Sequence, residues 1–419
     1  MNNQTVSTSS AGSGVWGVVA LGFLTLALAF TIRGSLSLAM PVWELEFSWS
    51  RSRISGIAAV ALIVMALVAP FAGGVVDRRG PRALLIGGMG AIGVGMAMVA
   101  AARPDGTSWL LPLGFAGIGA IGFGAIAQHV VAAAIAQRAV QNRGLAVGIG
   151  TAGSTAGQLL LMPLLAYLMQ SGEWRFAFVL LAAACFLVIP VTWLVLRPPV
   201  RAAAPVAPPP GRQSGNVGRD LGMLLRSPPF HAIFWSYAIC GFTTSGVIET
   251  HLMPYAAFCG FGPVPSATAY GVLAALNLVG MIGAGWLADR VHRPLLLAVI
   301  YTARAGAFVL LIFVADSYPL LIIFAILFGL FDYSTVPVTV SYLAGRLGIR
   351  MLGLSMGILS AGHAIGGAAG AWAGGAFFDW SGDYRVLWLG SIALSMAAAL
   401  LVVALRDDER SRPRWLVPA

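Results

Sequence analysis

Four formally charged side chains stand inside long apolar stretches of this sequence: Arg33, Glu249, Arg304 and Asp332. A charge at bilayer depth costs at least about 2.5 kcal/mol unless it is paired or hydrated, so such residues mark ion pairs, solute sites or proton relays. The guanidinium of Arg33 is permanently charged and its planar fork matches a carboxylate, which suits capture of an organic anion. Pairing with Glu249 is the competing use. Ser37 follows Arg33 by one helical turn on the same face. Glu249 and His251 can each take up a proton, yet about 200° separates them on a helix, so they point to different sides. Glu249 shares its face with Ser245, and His251 with Tyr255. Asp332 is the natural partner of Arg304 in a buried structural pair, or a proton site if it faces a cavity. Tyr333 beside it can stack on or hydrogen-bond a ligand. Gln128, His129 and Asn277 are further candidate substrate contacts. Gln158 and His363 fit hydrogen bonds between helices, each worth about 0.6 kcal/mol.

What must position these groups is set by composition. The chain has 419 residues, 58% of them hydrophobic and 10% charged. Soluble domains carry about 25% charged residues, so most of this length belongs in lipid. At about 20 apolar residues per membrane helix, twelve spans are predicted: 15–39, 55–76, 83–102, 109–136, 144–169, 175–196, 230–257, 268–288, 294–315, 318–345, 352–378 and 385–405. They are numbered 1 to 12 below. The polar residues 1–14 lack the basic start of a signal peptide, so span 1 is expected to be retained.

The net charge of +10 comes from arginine alone, since the chain has no lysine. Eighteen arginines fall in the loops after even-numbered spans and the C-terminal tail, against five in the loops on the other side. That bias predicts both termini in the cytoplasm. No basic stripe interleaved with aromatics occurs, which argues against nucleic acid as a partner. Cys185, Cys240 and Cys259 have neither disulfide nor metal-ligand spacing, and Cys185 and Cys240 read as small core residues. No metal site and no cofactor are expected.

A Pro- and Ala-rich stretch, 197–229, divides the chain into an N-terminal bundle (1–196) and a C-terminal bundle (230–419), with a short interfacial helix expected over 217–226. Internal repeats support the division. Gly73-Gly-Val-Val-Asp77-Arg78 recurs as Gly285-Trp-Leu-Ala-Asp289-Arg290, an offset of 212. The Gly144, Gly148 and Gly153 pattern recurs at Gly353, Gly357 and Gly362, and Gly172-Glu-Trp-Arg175 recurs as Gly382-Asp-Tyr-Arg385.

With these features the chain resembles the major facilitator superfamily over essentially its whole length. The hallmark loop stands as GGVVDRRGPR at 73–82, comprising Gly73, Asp77, Arg78, Gly80 and Arg82, with a weaker copy at Asp289 and Arg290. The stretches 46–55, 143–165, 240–254 and 362–384 resemble the bacterial branch related to monocarboxylate and oxalate–formate transporters. The resemblance implies an all-α membrane fold of two pseudo-symmetric six-helix bundles, a central cavity lined by spans 1, 4, 7 and 10, and a monomer. It also implies that Asp77 meets the start of span 11 near Leu352, and Asp289 the start of span 5, as a cytoplasmic gate. The better-understood monocarboxylate carriers place an arginine in span 8. Here the stretch Ala274 to Ala284 offers Asn277 and no charge.

No nucleotide-binding loop, nucleophile arrangement or soluble domain is present in the sequence, which argues against a pump or an enzyme. The leading expectation is a secondary active transporter of small carboxylate-like anions, coupled to protons and working by alternating access in a bacterial inner membrane. Proton-driven efflux of amphipathic drugs or metabolites is the alternative. A transporter-like nutrient sensor fits less well, since the 33-residue linker and short tail offer little for signalling.

Overall fold

The structure is a computed structural model, and it describes residues 9–79, 81–128, 131, 135, 143–196, 217–288, 290–315, 317–347 and 349–407. Helices supply all the regular structure among them. Nine of these helices are long and apolar enough to cross a membrane. Three further segments complete the twelve spans. Span 4 is Leu110–Ala125; span 7 runs from 228 to 258 as three consecutive helical pieces; span 11 is Ile349–Ser381. A helix spans Val217–Leu225, within the stretch 217–226 where one was expected.

Three spans differ from the sequence reading in ways that matter. Span 1 extends from Ser9 to Phe47, well past its apolar run, and span 2 begins at Arg51 rather than 55. Apolarity marks where a helix meets the headgroups, not where its hydrogen-bonding ends. The additional turns carry Glu44, Glu46, Arg51 and Arg53 to one end of the bundle. Span 4, read as 109–136, stops being a continuous helix at Ala125, where Ile126 turns out of helical geometry (φ −103°, ψ 35°).

The repeats noted in the sequence have physical counterparts. Gly172 and Gly382, equivalent in the two halves, both adopt left-handed backbone angles (φ 82° and 75°) that a side chain would strain. Each turn delivers an aromatic residue, Trp174 or Tyr384, into a buried aromatic cluster: Trp43 and Phe178 surround the first, Tyr255 and Trp388 the second. Gly153 of span 5 lies so close to span 1 that a Cβ would run into the backbone of Phe23, and Gly362 of span 11 lies likewise against the ring of Phe234 in span 7. Close approach through small residues is how helices associate without a hydrophobic drive between them. Contacts between the halves run through span 2 on span 11 and span 5 on span 8, with the second part of span 7 against span 1.

Candidate functional site

The helices around the centre of the molecule are irregular where they meet it. Span 4 contains a π-helical segment at Leu113–Gly119, and span 7 another at Phe242–Ile248, directly before Glu249. Span 10 breaks between Asp332 and Thr335. Such defects release backbone groups from the helical ladder and turn side chains inward, and in a membrane they persist only where protein or a cavity supports them. Here the Asn277 side-chain oxygen accepts from the freed Tyr333 N–H at 3.2 Å.

Between these elements lies a cavity of about 290 Å³. Arg33, Gln128, Tyr237, Cys240, Asp332 and His363 face it from the polar side, and Phe30, Met65, Phe123 and Met281 from the apolar side. Arg33 closes one end. Its Nη2 donates to Glu249 Oε2 at 2.7 Å, and Tyr333 OH donates to the other carboxylate oxygen at 2.8 Å. The guanidinium also stands 4.5 Å from the Phe30 ring centroid. Both side chains of the ion pair keep partial exposure, 18% and 12%. A second chamber of about 20 Å³ lies behind the pair, lined by Ser37, Ser245, Glu249 and Thr250. The pair is therefore a polar partition between a solute-sized space and one of water size. It satisfies Glu249 fully but leaves Arg33 donors beside the larger cavity.

A second polar cluster is deeper in the C-terminal half. Arg304 is fully buried and donates to Thr243 (2.8 Å), Thr244 (2.6 Å) and the Cys240 sulfur (3.0 Å). Its Nη2 is 3.5 Å from Asp332 Oδ1, which accepts from Thr244 at 2.5 Å. Asn277 Nδ2 reaches the other Asp332 oxygen at 3.5 Å. This cluster touches the cavity only through Asp332 and Cys240.

Two sequence assignments need correction. His251 does not reach the cavity: it is fully buried, donates from Nε2 to the Ala371 carbonyl of span 11 at 2.7 Å, and packs beside Tyr384. Asn277 does not line the cavity; its side chain hydrogen-bonds Asp332 and the Tyr333 N–H from behind. Cys240 is a buried core residue, as read from the sequence, and its sulfur also accepts from Arg304 and reaches the cavity wall. Gln158 donates to Tyr270 OH at 3.3 Å, between spans 5 and 8. His129, Gly80 and Asp289, like the side chains of Asp77, Arg78 and Leu352, lie outside the described residues, as do Gly73's surroundings and most of the linker. Arg82 and Arg290 are described, and each lies over a tryptophan, Trp193 at 4.9 Å and Trp286 at 4.1 Å.

The sequence reading missed the far end of the molecule, where spans 1 and 11 end and span 2 begins. Asp379 at the end of span 11 accepts from the backbone N–H of Arg51 (3.2 Å) and of Ser52 (3.0 Å). Arg51 donates to Glu44 at 2.5 Å and to Tyr384 OH at 2.9 Å, and its guanidinium covers the Phe378 ring at 3.7 Å. Glu46 in turn pairs with Arg175 and accepts from Trp174 Nε1 at 2.6 Å. The two halves are joined here by charge and hydrogen bonds, which seals this end of the cavity. Arg51 and Asp379 lie in 46–55 and 362–384, stretches that also carry the family likeness, and nothing in the sequence pairs them.

The chain matches the Major Facilitator Superfamily over residues 22–315 and 284–419. It is 27% identical over 395 residues to monocarboxylate transporter 13 of Bos taurus, covering 93% of this chain and 89% of that one. With human monocarboxylate transporter 11 it shares 29% identity over 421 residues, covering 97% and 85%. Its fold superposes on the crystal structure of a D-xylose–proton symporter with a TM-score of 0.71 at 16% identity, over 93% of this chain and 97% of that chain.

Proposed function

Because the chain belongs to the Major Facilitator Superfamily and is a multi-pass membrane transporter rather than an enzyme, we propose that its cargo is a small carboxylate-like anion that travels with a proton. The observation that carries this is Arg33: a fixed cation at the end of a 290 Å³ cavity, bound to a carboxylate of the opposite half. An arriving carboxylate competes with Glu249 for the guanidinium. If it wins while Glu249 stays ionised, Glu249 becomes a partly buried charge without its partner, a change that costs several kcal/mol. A proton on Glu249 removes that charge and frees Arg33 for the substrate. Anion and proton thus bind together, and neither is held well alone. Tyr333, which donates to ionised Glu249, can turn its hydroxyl to the protonated acid or to the substrate. The similarity to monocarboxylate transporters supports the substrate class, and Arg33 on span 1 supplies the charge that span 8 lacks.

With both termini cytoplasmic, as the arginine distribution favours, the cavity faces the cytoplasm and the Asp379–Arg51 end faces outward. Bundles 1–196 and 230–419 then rock about the Arg33–Glu249 level, which is alternating access. The organism's inner membrane is the expected site, with the protein acting as a monomer. The apolar side of the cavity, Phe30, Met65, Phe123 and Met281, is what favours the rival reading of drug efflux.

Reconstituted protein separates the two. Proteoliposomes carrying the wild type should accumulate short monocarboxylates such as lactate or pyruvate when a pH gradient is imposed, and Arg33→Gln should abolish it. Wild-type-like carboxylate uptake by R33Q would refute the proposal. Drug resistance conferred in cells equally by wild type and R33Q would favour efflux.

A further inference from the structure

Apart from the central cavity, a groove of about 560 Å³ lies on the outer surface of the sealed end. Spans 2 and 4 of one half and span 11 of the other form its walls, with Trp49, Arg53, Gly56, Val60, Leu113 and Trp372 among the lining residues. It follows span 2 from Arg53 to Val64. Eleven residues of helix rise about 16 Å, close to half of the roughly 30 Å hydrocarbon thickness. The groove therefore has the depth of one leaflet.

Its mouth is charged and its walls are not. Arg53 is exposed, with its guanidinium 4.2 Å over the Trp49 ring. No carboxylate among the described residues lies within ion-pair distance of it; Glu44 is held by Arg51 and Asp379 by backbone N–H groups. Below the mouth, Val60, Leu113 and Trp372 stay about half exposed, at 50%, 44% and 58%. A lone cation at headgroup level above an apolar slot of leaflet depth complements one kind of molecule.

We propose that this groove is a binding site for an anionic glycerophospholipid of the surrounding leaflet. Its phosphodiester sits on Arg53, and one acyl chain lies between spans 2, 4 and 11. A zwitterionic lipid brings its own cation to the headgroup and gains less from Arg53. Because the walls come from both halves, the bound lipid stabilises the sealed form of this end and dissociates when spans 2 and 11 part. This site is independent of what the central cavity carries.

The test uses the detergent-purified full chain with two lipids of matched acyl chains, phosphatidylglycerol and phosphatidylcholine. Native mass spectrometry should show one retained lipid with a preference for phosphatidylglycerol, and thermal unfolding should rise more with that lipid. Arg53→Gln should weaken phosphatidylglycerol binding by about fivefold, the effect of one basic residue near an anionic surface, and leave phosphatidylcholine binding unchanged. Gly56→Leu is the second variant: a side chain at Gly56 enters open space, so it fills the groove without disturbing packing and should abolish the retained lipid while Arg53 remains. Equal binding of both lipids by the wild type, an unchanged preference in R53Q, or a retained lipid in G56L would each overturn the proposal.

Discussion

Asp379 caps the helix that begins at Arg51. Its two carboxylate oxygens take the N–H groups of Arg51 and Ser52, which have no partner inside their own helix. Span 11 belongs to one half and span 2 to the other, so this cap is also a latch. An acid at a helix N-terminus contributes about 0.3–1 kcal/mol through the macrodipole.

The first prediction follows directly. Asp379→Asn should shift the balance toward opening of this end by about two- to fivefold, the equilibrium equivalent of that contribution. Electron–electron distance measurements between spin labels at positions 45 and 380 report the separation. An unchanged distance distribution in D379N would show that the cap does not hold the end shut.

Glu249 is the second. Glu249→Gln keeps a hydrogen-bonding side chain near Arg33 but removes the competing negative charge and the proton site. Exchange of lactate across the membrane at equal pH should persist, whereas accumulation driven by a pH gradient should fall at least tenfold. Uptake in proteoliposomes with and without the gradient measures both. Retained accumulation would place the coupled proton elsewhere.

The buried cluster gives a third. Arg304→Met leaves Asp332 charged and without its guanidinium in the interior, which should destabilise the fold by about 3–5 kcal/mol. Asp332→Leu alone should also be harmful, because Arg304 is then uncompensated. The double variant should be less destabilised than the sum, since replacing both partners with apolar groups is often near neutral. Thermal unfolding of the four proteins in one detergent gives the cycle; strict additivity would show that Arg304 and Asp332 do not act as a pair.

Cys240 supplies the fourth. Cys240 is buried, at 3% exposure, but lines the cavity with its sulfur 3.0 Å from Arg304, whereas Cys185 lies in the core away from the cavity. In a Cys259→Ser background, a small membrane-impermeant thiol reagent should modify Cys240 from the open side only and block uptake. Modification from the sealed side at the same rate would contradict the closure at Arg51 and Asp379.

Composition alone specifies the solvent this protein lives in, and with it much else. So few charges over such a length leave no alternative to lipid, and helix is then the structure in which each apolar span satisfies its own backbone. The repeated glycines announced two equivalent halves, and their reasons proved local: positive φ at Gly172 and Gly382, close approach at Gly153 and Gly362. Solvation cost singled out Arg33, Glu249, Arg304 and Asp332 before any contact was known. Helical spacing also told that Glu249 and His251 face apart.

Partners were another matter. Arg33 and Glu249 are 216 positions apart, and the angle of a residue on its helix says which side it presents without saying which helix waits there. Only packing decided that Glu249 meets Arg33 and that His251 meets the Ala371 carbonyl. The breaks in spans 4, 7 and 10 were invisible for a related reason. Apolar periodicity continues through a π turn, so only tertiary contacts reveal where the ladder yields and turns Cys240, Asp332 and Tyr333 toward a common space. The latch at Asp379 was hidden too, because loop charges read as topology until the ends of two spans are brought together.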